Sequence, residues 1–143
     1  MDHVVYLDAK AQELKKLENG TKCMIIRGAT GRKMPYGRVS PGDILYFINN
    51  NAEGVIHAKA LVKDVLNSDK LTKEDSIKLV EHNQDKLQLT DPQFNRWAGK
   101  RYLVLIEIEG FSNIEPFAID RSAYGNMDDW LPVEEIENVR IVN

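Results

Sequence analysis

The sequence predicts an α+β fold: a small, partly closed β-barrel of about six strands with two or three helices covering its ends. Three observations predict it. Short apolar, β-branched runs recur along the chain, several alternating with polar residues at the period of a half-buried strand. Two or three other segments carry the spacing and caps of helices. Strands and helices do not alternate regularly, which excludes a doubly wound parallel sheet. The 143 residues fit one domain, 1–143, and a chain of that size buries roughly two thirds of its unfolded surface.

The first run, HVVYL (3–7), reads as a strand ending at Asp8, a residue able to cap a helix. In AKAQELKKLENG, Ala11, Leu14 and Leu17 share one face and Gly20 stands beyond the last turn, so a helix is expected over 9–18. CMIIR (23–27) is a second strand, and GATGRKMPYGRVSPGD, which has neither period, is expected to be a long loop. DILYFIN (43–49) and VIHAKALVKDVL (55–66) read as strands joined by NNNAEG, the second with Ile56, Ala58, Ala60 and Val62 on one face. Thr72 and Asp75 are the capping pair of a helix carrying Ile77, Leu79 and Val80. Asp91 as cap and Pro92 at the first helical position open a short third helix that ends at Gly99. RYLVLIEIE (101–109) is the most strand-like run, with IEPFAI (114–119) as its partner across an EGFSN turn. The tail has turn residues over 124–129 and a helical turn near 133–139.

The composition, 43% apolar and 29% charged, is that of an ordinary soluble protein, and excludes a disordered or membrane-embedded chain. The N-terminus lacks a signal-peptide pattern, and no segment approaches about 20 uncharged apolar residues. Cys23 is the single cysteine. It has no internal disulfide partner, and together these features point to the cytoplasm. The charge is unevenly placed. Residues 20–42 hold Lys22, Arg27, Arg32, Lys33 and Arg38 with no acidic residue, a local +5 inside a chain of net −3. A basic strip on an acidic body can bind phosphate locally, although a solvated basic loop has the same composition.

A helix ending in Gly20 is followed by G-T-K-x-x-x-x-R (Gly20, Lys22, Arg27) and a long loop; P-G-D (Pro41 to Asp43) then opens an apolar strand, and the next strand reads A-x-A-x-V. This order resembles the ASCH domains of the PUA-like superfamily, which also holds the EVE and PUA modules. It covers residues 3–66 and, more loosely, 100–119. The resemblance implies a pseudobarrel with a cleft near the G-x-K turn, and a function on RNA, modified bases or nucleosides. Some small ASCH members are amidohydrolases that remove acyl groups from the exocyclic nitrogen of cytidine. For such an enzyme the resemblance implies a catalytic Lys22 with a downstream carboxylate, Asp85 or Glu81. The position of the catalytic hydroxyl falls at Ile25, and Cys23 stands where threonine is usual.

The residues themselves give chemical reasons for a binding role. Lys22 in a partly closed cleft would be desolvated and its pKa lowered; left exposed, it would only complement a helix C-terminus. Arg32, Lys33 and Arg38 flank Tyr36 among glycines, so cations for phosphate stand beside a ring on which a base can stack. Trp130 is either a pocket wall that sandwiches a base, with Asp128 or Asp129 accepting from an exocyclic amine, or a pin for the tail. Trp97 is expected in the core, and Cys23 as a small buried hydrophobe. No Cys or His pair has metal-ligand spacing, so neither metal nor cofactor is expected. Binding of RNA or a modified base through Lys22, Arg27, the 32–38 loop and Trp130 is the leading expectation. An amidohydrolase on N4-acylated cytidine and a protein-interaction scaffold are the alternatives.

Overall fold

The computed structural model describes residues 1–125 and 128–142, so part of the turn read at 124–129 lies outside the described residues. Six strands form one curled sheet in the order β2-β5-β4-β3-β1-β6. They are β1 (Asp2–Leu7), β2 (Met24–Ala29), β3 (Ile44–Asn49), β4 (Val55–Asn67), β5 (Tyr102–Ala118) and β6 (Trp130–Glu134). β1 and β3 pair in parallel; the other neighbours are antiparallel. Four helices, α1 (Glu13–Glu18), α2 (Lys73–His82), α3 (Gln84–Leu87) and α4 (Asp91–Trp97), complete an α+β pseudobarrel. Among the described residues no helix is long and apolar enough to cross a membrane.

Strand periodicity sends alternate residues to different cores. On β2, Ile25 enters the barrel interior with Phe47, Ala58, Ala60 and Val62, while Met24 and Ile26 pack outside against Val80, Leu87 and Trp97 of the helices. β5 divides likewise, with Val104, Ile106 and Ile108 inside and Leu103 and Leu105 under the helices. A third cluster joins Val4, Ile48 and Ile56 to Leu131, Val133 and Ile136 of the tail.

Several local expectations are corrected. α1 starts at Glu13, not residue 9. Asp8 Oδ1 accepts from the Ala11 amide at 3.1 Å and so caps only a turn, after which Gln12 adopts φ 54° and resets the chain. Thr90, not Asp91, caps α4, in a capping box with Gln93 that leaves Asp91 inside the first turn. The EGFSN turn does not form. β5 runs through it because the long β4 offers a continuous partner: Leu61 faces Glu109 and Ala58 faces Asn113. Register shifts and Gly110 at φ 64° absorb the extra residues as bulges and bend the strand. In the tail, Trp130–Glu134 pairs with the free edge of β1, and the helical turn read at 133–139 shrinks to Ile136–Asn138, of the 3-10 type; a second 3-10 turn forms at Ser122–Tyr124.

Candidate functional site

β2 and β6 are the two edges of the sheet, and Arg27 bridges the opening between them. Its Nη1 donates to the Ile26 carbonyl at 2.8 Å and its Nη2 to the Tyr6 carbonyl on β1 at 2.6 Å. Its Nε lies 3.3 Å from Asp129 Oδ2, just ahead of β6. A planar fork of donors can hold two carbonyls and still turn a third nitrogen toward a carboxylate, which a single ammonium on a flexible stem does less well. The guanidinium carbon stands 5.9 Å from the centroid of Trp97 and 5.6 Å from that of Trp130, within cation–π range of both indoles.

α4 supplies the opposite wall. Its capping box fixes where the helix starts, Trp97 closes it with its ring buried, and Arg96 lies 4.3 Å over that ring. Ala98 is extended and Gly99 takes φ 97°, a left-handed value that glycine tolerates, so the chain turns and brings Lys100 beside β2. The approach at Gly28 is close: a Cβ there would meet Leu103 Cδ2 at 2.7 Å and Lys100 Cβ at 3.2 Å. The result is a cleft of about 400 Å³ lined by the cations Arg27, Lys33, Arg96 and Lys100, by Met34, Trp97 and Trp130, and by Asp128 and Asp129. A smaller cavity of about 170 Å³ shares the Arg27, Arg96, Trp97 and Asp129 wall and adds Tyr6, Asp8, Glu13, Asn50 and Gln93.

Lys22 lies behind this smaller cavity and is 1% exposed. Its Nζ donates to the Leu87 carbonyl at 2.5 Å and stands 3.4 Å from Glu13 Oε2. Burial pushes the ammonium below the ordinary lysine pKa, with Glu13 opposing. Glu81 and Asp85, expected to assist Lys22, are exposed on α2 and α3, and the carboxylate that meets it is Glu13. Glu13 Oε1 also accepts from the Asp8 amide at 2.8 Å, so the pair is tied to the turn after β1.

The 32–38 loop is divided. Lys33 joins the cleft, whereas Arg32 and the exposed Arg38 do not line it. The Tyr36 hydroxyl donates to the Ser68 carbonyl at 2.5 Å, its ring meets Tyr102 edge-on, and the Arg32 guanidinium lies 5.6 Å from the Tyr36 centroid. Trp130, read as a base-stacking wall, is 1% exposed and its ring faces Arg27. Its indole N–H donates to His3 Nδ1 at 3.1 Å, and His3 Nε2 meets Asp43 Oδ2 at 2.8 Å. Because an indole can only donate, His3 Nδ1 carries no proton and the ring is the neutral Nε2–H tautomer. Burial accordingly lowers its pKa, against the raising effect of Asp43.

The sequence reading omitted Glu13, Arg96 and Lys100. For the last two a signal existed: R-W-A-G-K sets two cations around an indole next to a turn glycine. Glu13 carries no such mark, being one of several charges on a helix. Among the described residues no group of three His, Cys, Asp or Glu side chains is placed to hold a metal ion.

The fold, a curled six-stranded sheet with covering helices, is similar to solved structures. The crystal structure of ASCH from Zymomonas mobilis superposes with a TM-score of 0.66 over 96% of this chain and 92% of that one, at 15% identity. The chain has the ASCH fold. A tyrosine-to-phenylalanine mutant of the Zymomonas protein matches with a TM-score of 0.63 at 14% identity, covering 90% of this chain and 84% of that one. A serine-to-alanine mutant gives 0.62 at 14%, covering 82% and 73%. No family model and no curated protein matches the sequence. The ASCH fold is thus kept with few shared side chains, as expected where buried periodicity rather than residue identity specifies a sheet.

Proposed function

We propose that this ASCH-fold chain binds single-stranded RNA or a modified nucleobase in the cleft between β2, α4 and the start of β6. One observation carries the reading: four cationic side chains and three apolar or aromatic ones surround a single hollow of about 400 Å³. That volume falls in the range of roughly 300–1,000 Å³ typical of small-ligand sites. Cations neutralise phosphate, and the half-buried Met34 thioether, backed by the two buried indoles, offers an apolar surface to an unstacked base. Asp128 and Asp129 supply acceptors for an exocyclic amine at the same rim. Amide hydrolysis with Lys22 as base is less well supported, because the Lys22 side chain is fully buried beneath Glu13 and lines neither cavity.

The test is a titration of a fluorescent single-stranded RNA oligomer against the wild type and a Lys33→Gln, Arg96→Gln, Lys100→Gln triple variant. The variant is expected to bind more weakly and to lose about 2 from the slope of log affinity against log salt, since each phosphate contact to a single strand contributes about 0.7. An unchanged affinity and slope would reject this cleft as the binding surface.

A further inference from the structure

We propose that Asp129 is a built-in competitor for the anion this cleft takes, a carboxylate that occupies Arg27 until a phosphate displaces it; the inference deepens the binding reading above and rests on it.

Arg27 is the innermost cation of the cleft, and its position is fixed. Nη1 and Nη2 are held by the carbonyls of Ile26 and Tyr6, and the side chain is 8% exposed. Of the three nitrogens only Nε is buried without a hydrogen-bond partner among the described residues. Asp129 Oδ2 comes to 3.3 Å, near enough to neutralise the charge but not aligned to accept the proton. A guanidinium N–H with a neutralising but misaligned carboxylate is a donor that a better placed oxygen can take over.

The competitor is a side chain and not a moving segment. The Asp129 carbonyl accepts from the Tyr6 amide at 3.0 Å, and the adjoining Trp130 is pinned by His3, so the backbone on this side is anchored to β1. The Asp129 carboxylate itself is 43% exposed, free to rotate away from Arg27 into water. Anchored backbone, exposed carboxylate and unsatisfied donor together make an exchange of one anion for another that needs only a rotamer change. The physical consequence is selectivity: a weak or single anion meets a neutralised Arg27, whereas a ligand also held by Lys33, Arg96 and Lys100 can drive the exchange.

The experiment follows the Arg27 Nε–H resonance by NMR while inorganic phosphate is added to the wild type, to Asp129→Asn and to Asp91→Asn. Asp129→Asn is expected to lower the phosphate midpoint at that resonance about fivefold, the size of a half-exposed ion pair. Asp91→Asn, which removes an exposed carboxylate of α4 that lines neither cavity, is expected to change it less than about twofold. An equal midpoint in Asp129→Asn and wild type overturns the competitor, whatever RNA does. If phosphate shows the shift but the RNA oligomer binds neither protein, the competitor stands and the nucleic-acid reading fails. Asp129→Ser, which shortens the side chain, should move the midpoint in the same direction as Asp129→Asn; a rise instead would also overturn the proposal.

Discussion

The Lys22 ammonium stands 3.4 Å from Glu13 Oε2, and both side chains are almost wholly shut off from solvent. Removing one partner of such a pair leaves the other charge stranded, at a cost of about 3–5 kcal/mol. Lys22→Met is therefore expected to lose that much stability in urea denaturation. Combining it with Glu13→Gln, which keeps an acceptor for the Asp8 amide, should recover more than half of the loss. Additive losses would show that the two groups are not energetically coupled.

The Trp130–His3–Asp43 chain makes the fold acid-sensitive. His3 is neutral because the indole N–H needs its Nδ1, and its pKa in the folded state lies below the ordinary 6.5. The groups facing it are Asp43 and Asp2, which favour the proton, and the N-terminal ammonium, which opposes it, while burial dominates. A folded pKa below the unfolded one means that the unfolded chain takes up the proton first. Stability is full above about pH 6.5, falls as the pH drops through the unfolded value, and levels off below the folded one. The melting temperature should fall between about pH 7.5 and 5.5, and His3→Gln should flatten that dependence relative to wild type.

At Gly28, β2 packs closely against β5 and the turn after α4. A methyl group there meets Leu103 Cδ2 at 2.7 Å, and Leu103 is fully buried, with Lys100 Cβ and the Tyr102 carbonyl each at 3.2 Å. Gly28→Ala is expected to destabilise by about 1–3 kcal/mol, the usual range for overpacking. Thermal denaturation checks it; an unchanged melting temperature would mean that β2 and the 98–102 turn can separate freely.

Arg32 and Arg38 serve as internal controls for the binding surface. Arg32 lies 5.6 and 5.5 Å from the Tyr36 and Tyr102 centroids, and neither arginine lines the cleft. An Arg32→Gln, Arg38→Gln variant should keep RNA affinity within about twofold and lose about 0.5–1 kcal/mol of stability from the cation–π contacts. A fall in affinity equal to that of the Lys33, Arg96, Lys100 variant would move the binding surface onto the loop.

Much of the fold was legible because local rules governed it. Ile56, Ala58, Ala60 and Val62 are buried as their alternation indicates, and Thr72 accepts from the Asp75 amide as its place before a helix requires. The errors lie where a distant partner decides. Gly110 within EGFSN looks like a turn, yet a bulge opposite β4 uses the same left-handed glycine. The segment 130–134 has no strong strand alternation and becomes a strand because the edge of β1 is free to pair.

The site divides in the same way. Lys22 and Arg27 stood out through a motif, but the motif placed them on one surface, whereas the fold puts Lys22 behind Glu13 and Arg27 at the opening. By itself the sequence determined the apolar faces of most strands and helices and the segregation of positive charge, since periodicity and charge are properties of neighbouring residues. The tertiary structure alone decided that β2 and β6 face each other across a gap. It alone gathered Lys33, Arg96 and Lys100 about Arg27 and set Asp129 against it, because contacts between segments far apart in the chain depend on sheet order and curvature.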